Sequence, residues 1–224
     1  MNSASILVQE SNASCMPGAM PIAFVVDDDV SVREWLELLI QRAGCQVETF
    51  ASAEEFLARP RALSPSCLVL DVKLPHLNGL DLQERIAADR VDMPVIFVTE
   101  DADIPTIVRA MKAGAAEFLT KPFDADVLLN AIREAVERSE CVLRQEAKMR
   151  SLRNRYASLT AREREVMDLV VTGELNKQVG GELGISEITV KAHRGKMMRK
   201  MQAGSLIELV NMAAILRPPS VPNA

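Results

Sequence analysis

Five short strand-like runs, the second weaker and less apolar than the rest and each followed by a stretch of helical periodicity, constrain this 224-residue chain more than any other feature. The runs occupy 22–26, 46–50, 67–70, 94–98 and 116–119. After the first, Val32, Trp35, Leu36, Leu39 and Ile40 recur at the spacing of an amphipathic helix that ends near Gly44. Ser52 with Glu55 reads as a helix start, and 79–88 and 104–113 read as helices, the second stopping at Gly114. Asp124 opens a longer helix through Val127, Leu128, Ala131, Ile132, Ala135 and Val136, continuing across the charged residues 137–150. Such apolar runs suit strands covered on both faces, and the alternation joins them by right-handed crossovers. The pattern predicts an α/β fold with a doubly wound parallel sheet of five strands. Ligands in such folds sit at the carboxyl ends of the strands.

The chemistry-bearing residues fall at those ends. Asp27 and Asp28 follow the first run, Asp71 the third, Thr99 the fourth and Lys121 the fifth. A lone Asp at a strand end is more often a cap, and a Lys-Pro pair is usually only a loop. The joint occurrence at four strand ends carries the weight. Three carboxylates converging on one pocket repel unless a cation joins them, and hard oxygen ligands suit Mg²⁺. Such a site stabilises a transferring phosphoryl group. Asp71, placed centrally, is the candidate nucleophile, and its product would be an acyl phosphate.

Past residue 150 the pattern changes. Four helices are expected at about 160–172, 176–183, 186–201 and 205–216, punctuated by Gly173, Gly184 and Gly204. The charge changes too. Residues 1–149 carry 14 Lys+Arg against 24 Asp+Glu, whereas 150–224 carry 12 against 7. An acidic half joined to a basic half suggests that only the second meets a polyanion. Asn176 and Ser186 read as N-caps, and Val179, Leu183, Ile185, Val190 and Met197 are spaced to share a core. Lys191, Arg194, Lys196, Arg199 and Lys200 surround the second of these helices. A helix, a short Gly turn and a basic helix place the basic helix in a major groove, with Thr189 and the N-terminal amides near phosphate.

Two resemblances sharpen these readings. FVVDDD, LVLDVKLPHLNG, PVIFVTE and AEFLTKPF, in this order, resemble the receiver domain of bacterial response regulators over 22 to about 138. LTAREREVMDLVVTGELNKQ followed by LGISEITVKAHRGKMMRKM resembles the LuxR-type helix-turn-helix of the NarL/FixJ family, FixJ-like branch, over about 159–216. The first implies the flavodoxin-like strand order 2-1-3-4-5. It also implies Asp71 as phosphoacceptor for a sensor histidine kinase, with Mg²⁺ on Asp28, Asp71 and the Lys73 backbone carbonyl and Asp27 acting through water. Lys121 would pair with phosphoryl oxygens, Thr99 and Phe118 would shift on phosphorylation, and Pro122 would follow a cis peptide. The second implies an all-α four-helix domain reading promoter DNA. Asn176, Lys177, Ser186, Thr189, Lys191, Ala192, Arg194, Gly195, Lys196, Arg199 and Lys200 are its candidate DNA contacts. Lys191, Ala192 and Gly195 take the base-facing positions, where Ala192 could touch a thymine methyl and Gly195 has no side chain to read with. Leu206, Leu209, Val210 and Ala213 are candidate dimer contacts, with a core-only role for this apolar face as the alternative; a homodimer when phosphorylated is expected, and RNA polymerase is a candidate partner.

Two departures stand out. The residue after the switch threonine is usually small; here it is Glu100, followed by Asp101 and Asp103. Gly180-Gly181 stands where an alanine is usual at the first position, and each helical Gly costs about 1 kcal/mol. Glu100 keeps open a DNA-binding regulator insensitive to phosphate. An aspartyl-phosphate hydrolase would need a general acid/base and a cap, and neither is visible in the sequence, so no turnover enzyme is expected.

The expected organisation is a disordered tail 1–20, a receiver 21–138, a helical linker 139–158, a DNA-binding domain 159–217 and a tail 218–224. The four cysteines (Cys15, Cys45, Cys67, Cys141) lack metal-ligand spacing, and residues 1–20 lack a signal-peptide pattern. The apolar runs are about a third of the roughly 20 residues a membrane span needs. These features predict a cytoplasmic protein that does not enter the membrane.

Overall fold

The computed structural model describes residues 20–60, 64–100 and 103–216; residues 1–19 and 218–224 of the expected tails, and Asp101, lie outside the described residues. The chain divides into two compact units, Met1–Arg144 and Gln145–Ala224. The first contains β1 (Ile22–Val26), α1 (Val30–Arg42), β2 (Gln46–Phe50), α2 (Ala53–Ala58), β3 (Ser66–Leu70), α3 (Gly79–Ile86), β4 (Val95–Thr99), α4 (Ile104–Lys112) and β5 (Glu117–Thr120). Helix α5 (Ala125–Ala157) follows, and the division between the units falls within it.

The strands form one parallel sheet in the order β2-β1-β3-β4-β5, as the receiver resemblance implied. Every residue of β1, β3 and β4 is buried, because these central strands are covered on both faces. Alternate side chains feed two cores. Phe24, Leu68, Leu70 and Phe97 pack with Phe56, Leu82 and Ala110 of α2, α3 and α4. Ala23, Val25, Val69 and Val98 pack with Leu36 and Ile40 of α1 and with Leu128 and Ile132 of α5. Burying a side chain of this size contributes about 1.5–3 kcal/mol, and a one-residue slip would exchange the two faces. The register is therefore firmly set. β4 and β5 extend one residue further than the apolar runs suggested, because the ladder continues through Thr99 and Thr120.

The caps follow from the sequence. The third acid of the Asp27-Asp28-Asp29 run caps α1, accepting from the amide of Ser31 at 2.7 Å. Ser52 caps α2, accepting from Glu55 N at 3.2 Å, while the Glu55 carboxylate reaches back to Ala51 N.

The second unit contains α6 (Ala161–Val171), α7 (Asn176–Leu183), α8 (Glu187–Met201) and α9 (Leu206–Leu216). Val166, Met167, Val170, Val179, Val190, Met197, Met201 and Leu209 form its core. Three expectations are corrected here. Asn176 is not the cap of α7 but its first residue; Leu175 is the cap, and its amide is bound by Gln178 Oε1 at 2.8 Å. Leu209 is fully buried in the unit's own core, so it is not free to make a dimer contact. Lys200 is not an open DNA contact. Its Nζ lies 2.6 Å from the buried Glu163 carboxylate and 3.1 Å from the Ser158 carbonyl.

Glu163 also closes a capping box with Thr160, accepting from its amide at 2.9 Å. The hydrogen bond from Lys200 is the main reason its carboxyl is held below the usual glutamate range. A depressed native value adds stability that is present above the ordinary glutamate pKa and is lost as pH falls through the native one. Glu163→Gln should lower stability by about 1–3 kcal/mol at pH 7. The deficit should shrink steadily on acidification below the ordinary glutamate range, as read by urea unfolding of the full chain and amide exchange in α6.

Candidate functional site

The register builds the acidic site. Val26 pairs with Leu70 across β1 and β3, and Asp71 N donates to Val26 O at 2.9 Å. Asp27 and Asp71, the next residues on each strand, therefore emerge side by side. Thr99 pairs with Thr120, and Lys121 N donates to Thr99 O at 2.8 Å, which brings Lys121 to the same edge. Carboxylate oxygens of Asp27, Asp28 and Asp71 all lie within 4.8 Å of one another. Lys121 Nζ is 2.8 Å from Asp27 Oδ2, a nearly enclosed ion pair. Lys73, Glu100 and Val32 line the same cavity. The Lys121-Pro122 peptide is cis.

Each group has a distinct setting. Asp27 is buried, and its Oδ1 accepts from Asp29 N at 2.9 Å, while Arg33 Nη1 donates to its backbone carbonyl at 2.7 Å. Asp28 is exposed, and Asp71 is half-buried. Burial is the first cause pushing the Asp71 carboxyl above its ordinary value. Nearby Lys121 opposes that shift and Asp27 adds to it; the Thr99 hydroxyl and Lys73 amide, both hydrogen-bonded to Asp71, oppose it. Two carboxylates at such a separation repel by about 3 kcal/mol per pair at an effective dielectric of about 20. The Lys121–Asp27 ion pair does not by itself balance three acids. The donor set, three hard oxygens with an unmet demand for positive charge, fits a divalent cation. Phe118 is partly buried against the sheet's core, its ring 5.7 Å from that of Phe97.

A second candidate site lies on α7, its turn and α8. Gly184 ends α7 in the left-handed conformation (φ 66°), where a side chain would be strained. Ile185 N donates to Gly180 O at 3.0 Å, and a Cβ on Gly180 would stand 2.8 Å from the Ile185 carbonyl. Gly180 is thus a point of close approach between helix and turn, not only a softening of α7. Ser186 caps α8, accepting from Thr189 N at 3.2 Å, and its hydroxyl is 2.8 Å from that of Thr189. Lys177, Lys191, Ala192, Gly195, Lys196 and Arg199 are exposed. Arg194 is half-buried and donates to Asn176 Oδ1 at 3.1 Å, which ties α8 to α7.

Residues 23–133 match the response regulator receiver domain, and residues 157–213 match the luxR family of bacterial regulatory proteins. Nodulation protein W of Bradyrhizobium diazoefficiens is 46% identical over 195 residues, 87% of this chain and 86% of that protein. The transcriptional regulatory protein FixJ of Azorhizobium caulinodans is 42% identical, covering 89% of this chain and 94% of its own. The solved structure of the response regulator StyR is 45% identical, with a TM-score of 0.82 over 88% of this chain and 100% of that one. The chain is a response regulator of the NarL/FixJ family.

Membership places this regulator among transcription factors, not turnover enzymes. No described helix of the regulator is long and apolar enough to cross a membrane. Sequence reasoning missed one residue of the acidic site. Gly79 opens α3, and a Cβ there would stand 2.2 Å from the Asp71 carbonyl oxygen. The only signal was its place at the end of LPHLNG, directly before a helix. In the regulator, Gly79→Ala should displace the Asp71 backbone and lower stability by about 1–3 kcal/mol. Mg²⁺ affinity, measured by isothermal titration calorimetry, should weaken with it.

Proposed function

We propose that Asp71 of this regulator takes a phosphoryl group from a phosphohistidine on a sensor kinase, and that the C-terminal unit then binds promoter DNA as a dimer. A carboxylate oxygen of Asp71 attacks phosphorus, the phosphorus–nitrogen bond breaks, and its electron pair returns to the imidazole. When bound, Mg²⁺ supplies charge neutralisation for the carboxylates and the transferring group. Asp28 and Asp71 would hold it directly, Lys73 through its carbonyl and Asp27 through water. Lys121 pairs with a phosphoryl oxygen, and Thr99, already bonded to Asp71, follows the new phosphate while Phe118 moves inward. The observation that supports this reading is the meeting of three carboxylates within 4.8 Å, with Lys121 ion-paired to one of them.

The dimer reading draws on exposed apolar side chains. Ile104, Val108 and Met111 recur along α4, and Leu206 and Val210 remain part-exposed on α9, with Ala213 packed partly beneath them. Lys191, Lys196 and Arg199 supply phosphate contacts. The regulator acts in the cytoplasm, where kinase and promoter are both reachable.

Phosphotransfer from a phosphorylated kinase should label the wild type and not Asp71→Asn. The wild type should gain about tenfold or more in DNA affinity with donor, and the variant nothing. A second reading, DNA binding indifferent to phosphate, is favoured by Glu100, an exposed anion at the mouth of the acidic cavity. Equal affinity of the wild type with and without donor would establish it. Glu100 should slow both entry of small anionic donors and hydrolysis of the acyl phosphate. Glu100→Ala should therefore accelerate labelling by acetyl phosphate and shorten the phosphate half-life, each by several-fold. Unchanged rates would remove Glu100 from the account.

A further inference from the structure

Helix α8 exposes a large aliphatic side chain that the fold does not use. Ile188 is 80% exposed, in the first turn of a helix otherwise ringed by cations. The buried side of α8 carries Val190, Met197 and Met201. At 100° per residue, Ile188, Ala192, Gly195 and Arg199 lie within about 40° of one line on the opposite side. Lys191 and Lys196 flank that line, and Lys191 is itself 3.1 Å from Glu187. The first two turns of the outward face are therefore aliphatic and small along their centre, with Lys191 and Lys196 at the edges and Arg199 further along the same line.

Gly195 adds a separate observation. A Cβ there would meet nothing within 4 Å, so the protein's own packing does not require glycine. A glycine inside a helix costs about 1 kcal/mol relative to alanine. Nothing among the described residues packs there to offset that cost, whereas close approach of the helix axis to an external surface would. The two groups on offer, a sec-butyl and a methyl, cannot hydrogen-bond to base edges. The thymine C5-methyl is the apolar group that a major groove presents. Ile188 and Ala192 are four residues apart, about 6 Å along the helix, which is close to two base-pair steps.

We propose that Ile188, with Ala192, selects DNA by packing against thymine methyl groups. Gly195 lets the helix sit deep enough for that contact, Lys191 and Lys196 hold phosphates on either side, and Arg199 holds one beyond the end of the aliphatic stretch. This rests on the DNA-binding reading given above and names the chemistry by which that helix discriminates. Discrimination by removing apolar surface from water is worth about fourfold per methyl-sized group.

The test uses the full-length protein, with donor and Mg²⁺, to select duplexes from a random-sequence library. Thymines in the enriched half-site are then replaced one at a time by deoxyuridine, which lacks only the methyl. The wild type should lose about fourfold at one or two thymines near two base-pair steps apart. Ile188→Ala should bind the thymine and deoxyuridine duplexes equally at one of these positions, and Ile188→Val should restore part of the difference. Ile188 is exposed, so its variants should unfold at the wild-type temperature. Sequence-selective binding with no methyl dependence, or full dependence retained in Ile188→Ala, overturns the inference and leaves the DNA-binding reading standing. No enrichment of any sequence overturns both.

Discussion

Parallel pairing of β1 with β3, with Val26 opposite Leu70, is the constraint on which the receiver site depends. It sets two buried or half-buried carboxylates next to each other at the sheet edge, an arrangement that electrostatics alone opposes. The apolar faces of these strands, locked by alternation into two cores, hold the acids there. Asp71 shows the consequence. Burial raises its pKa, so the native state binds the proton more tightly than the unfolded chain does. Its contribution to stability is therefore most favourable at low pH and declines as pH rises through the raised value. At neutral pH the site is held together against its own charge. Any ligand that brings positive charge to this edge relieves that cost, so stability is coupled to the occupancy of the site.

In the C-terminal unit the deciding constraint is how α8 is held. Gly180 lets α7 approach the turn, Gly184 supplies the left-handed residue, and Ser186 starts α8 immediately afterwards. At the far end Lys200 binds Glu163, and Arg155 reaches the Met201 carbonyl. Arg194 is drawn to Asn176 midway. Cations that look alike in the sequence thus divide into those that fix the helix and those that remain outside. This division carries energetic weight, because a lysine bound to a buried glutamate cannot serve a phosphate without leaving that glutamate unpaired.

Much of this was legible in the sequence. The sheet could be read because buried parallel strands are continuous apolar runs, and because Asp27, Asp71, Thr99 and Lys121 each follow such a run. Residues whose role is set by neighbours distant in sequence were harder to read. Lys200 and Leu209 carry the residue types of a DNA contact and a dimer contact; only the packing of α6 against α8 and α9 turns them inward. Asn176 was misread as a cap because its side chain suits that position. The observed cap, Leu175, has no polar side chain, and Gln178 serves its amide instead. Gly79 was hard to read as a site residue, since a glycine's reason for being there is the space it leaves.

The distribution of charge bears on how the two halves of the sequence meet a promoter. Each phosphate contact contributes roughly 0.9 to the salt slope of binding, and α8 keeps only Lys191, Lys196 and Arg199 exposed. Residues 1–149, with ten more acids than bases, add repulsion for the same polyanion. A single copy therefore has a weak electrostatic hold on DNA. Affinity must come from contacts that depend on shape and sequence, or from joining two copies so that the second helix binds at high effective concentration. If two copies pair, weak binding by each would make that pairing an effective switch. If each unit already gripped DNA through charge, a phosphate on Asp71 would have little left to change.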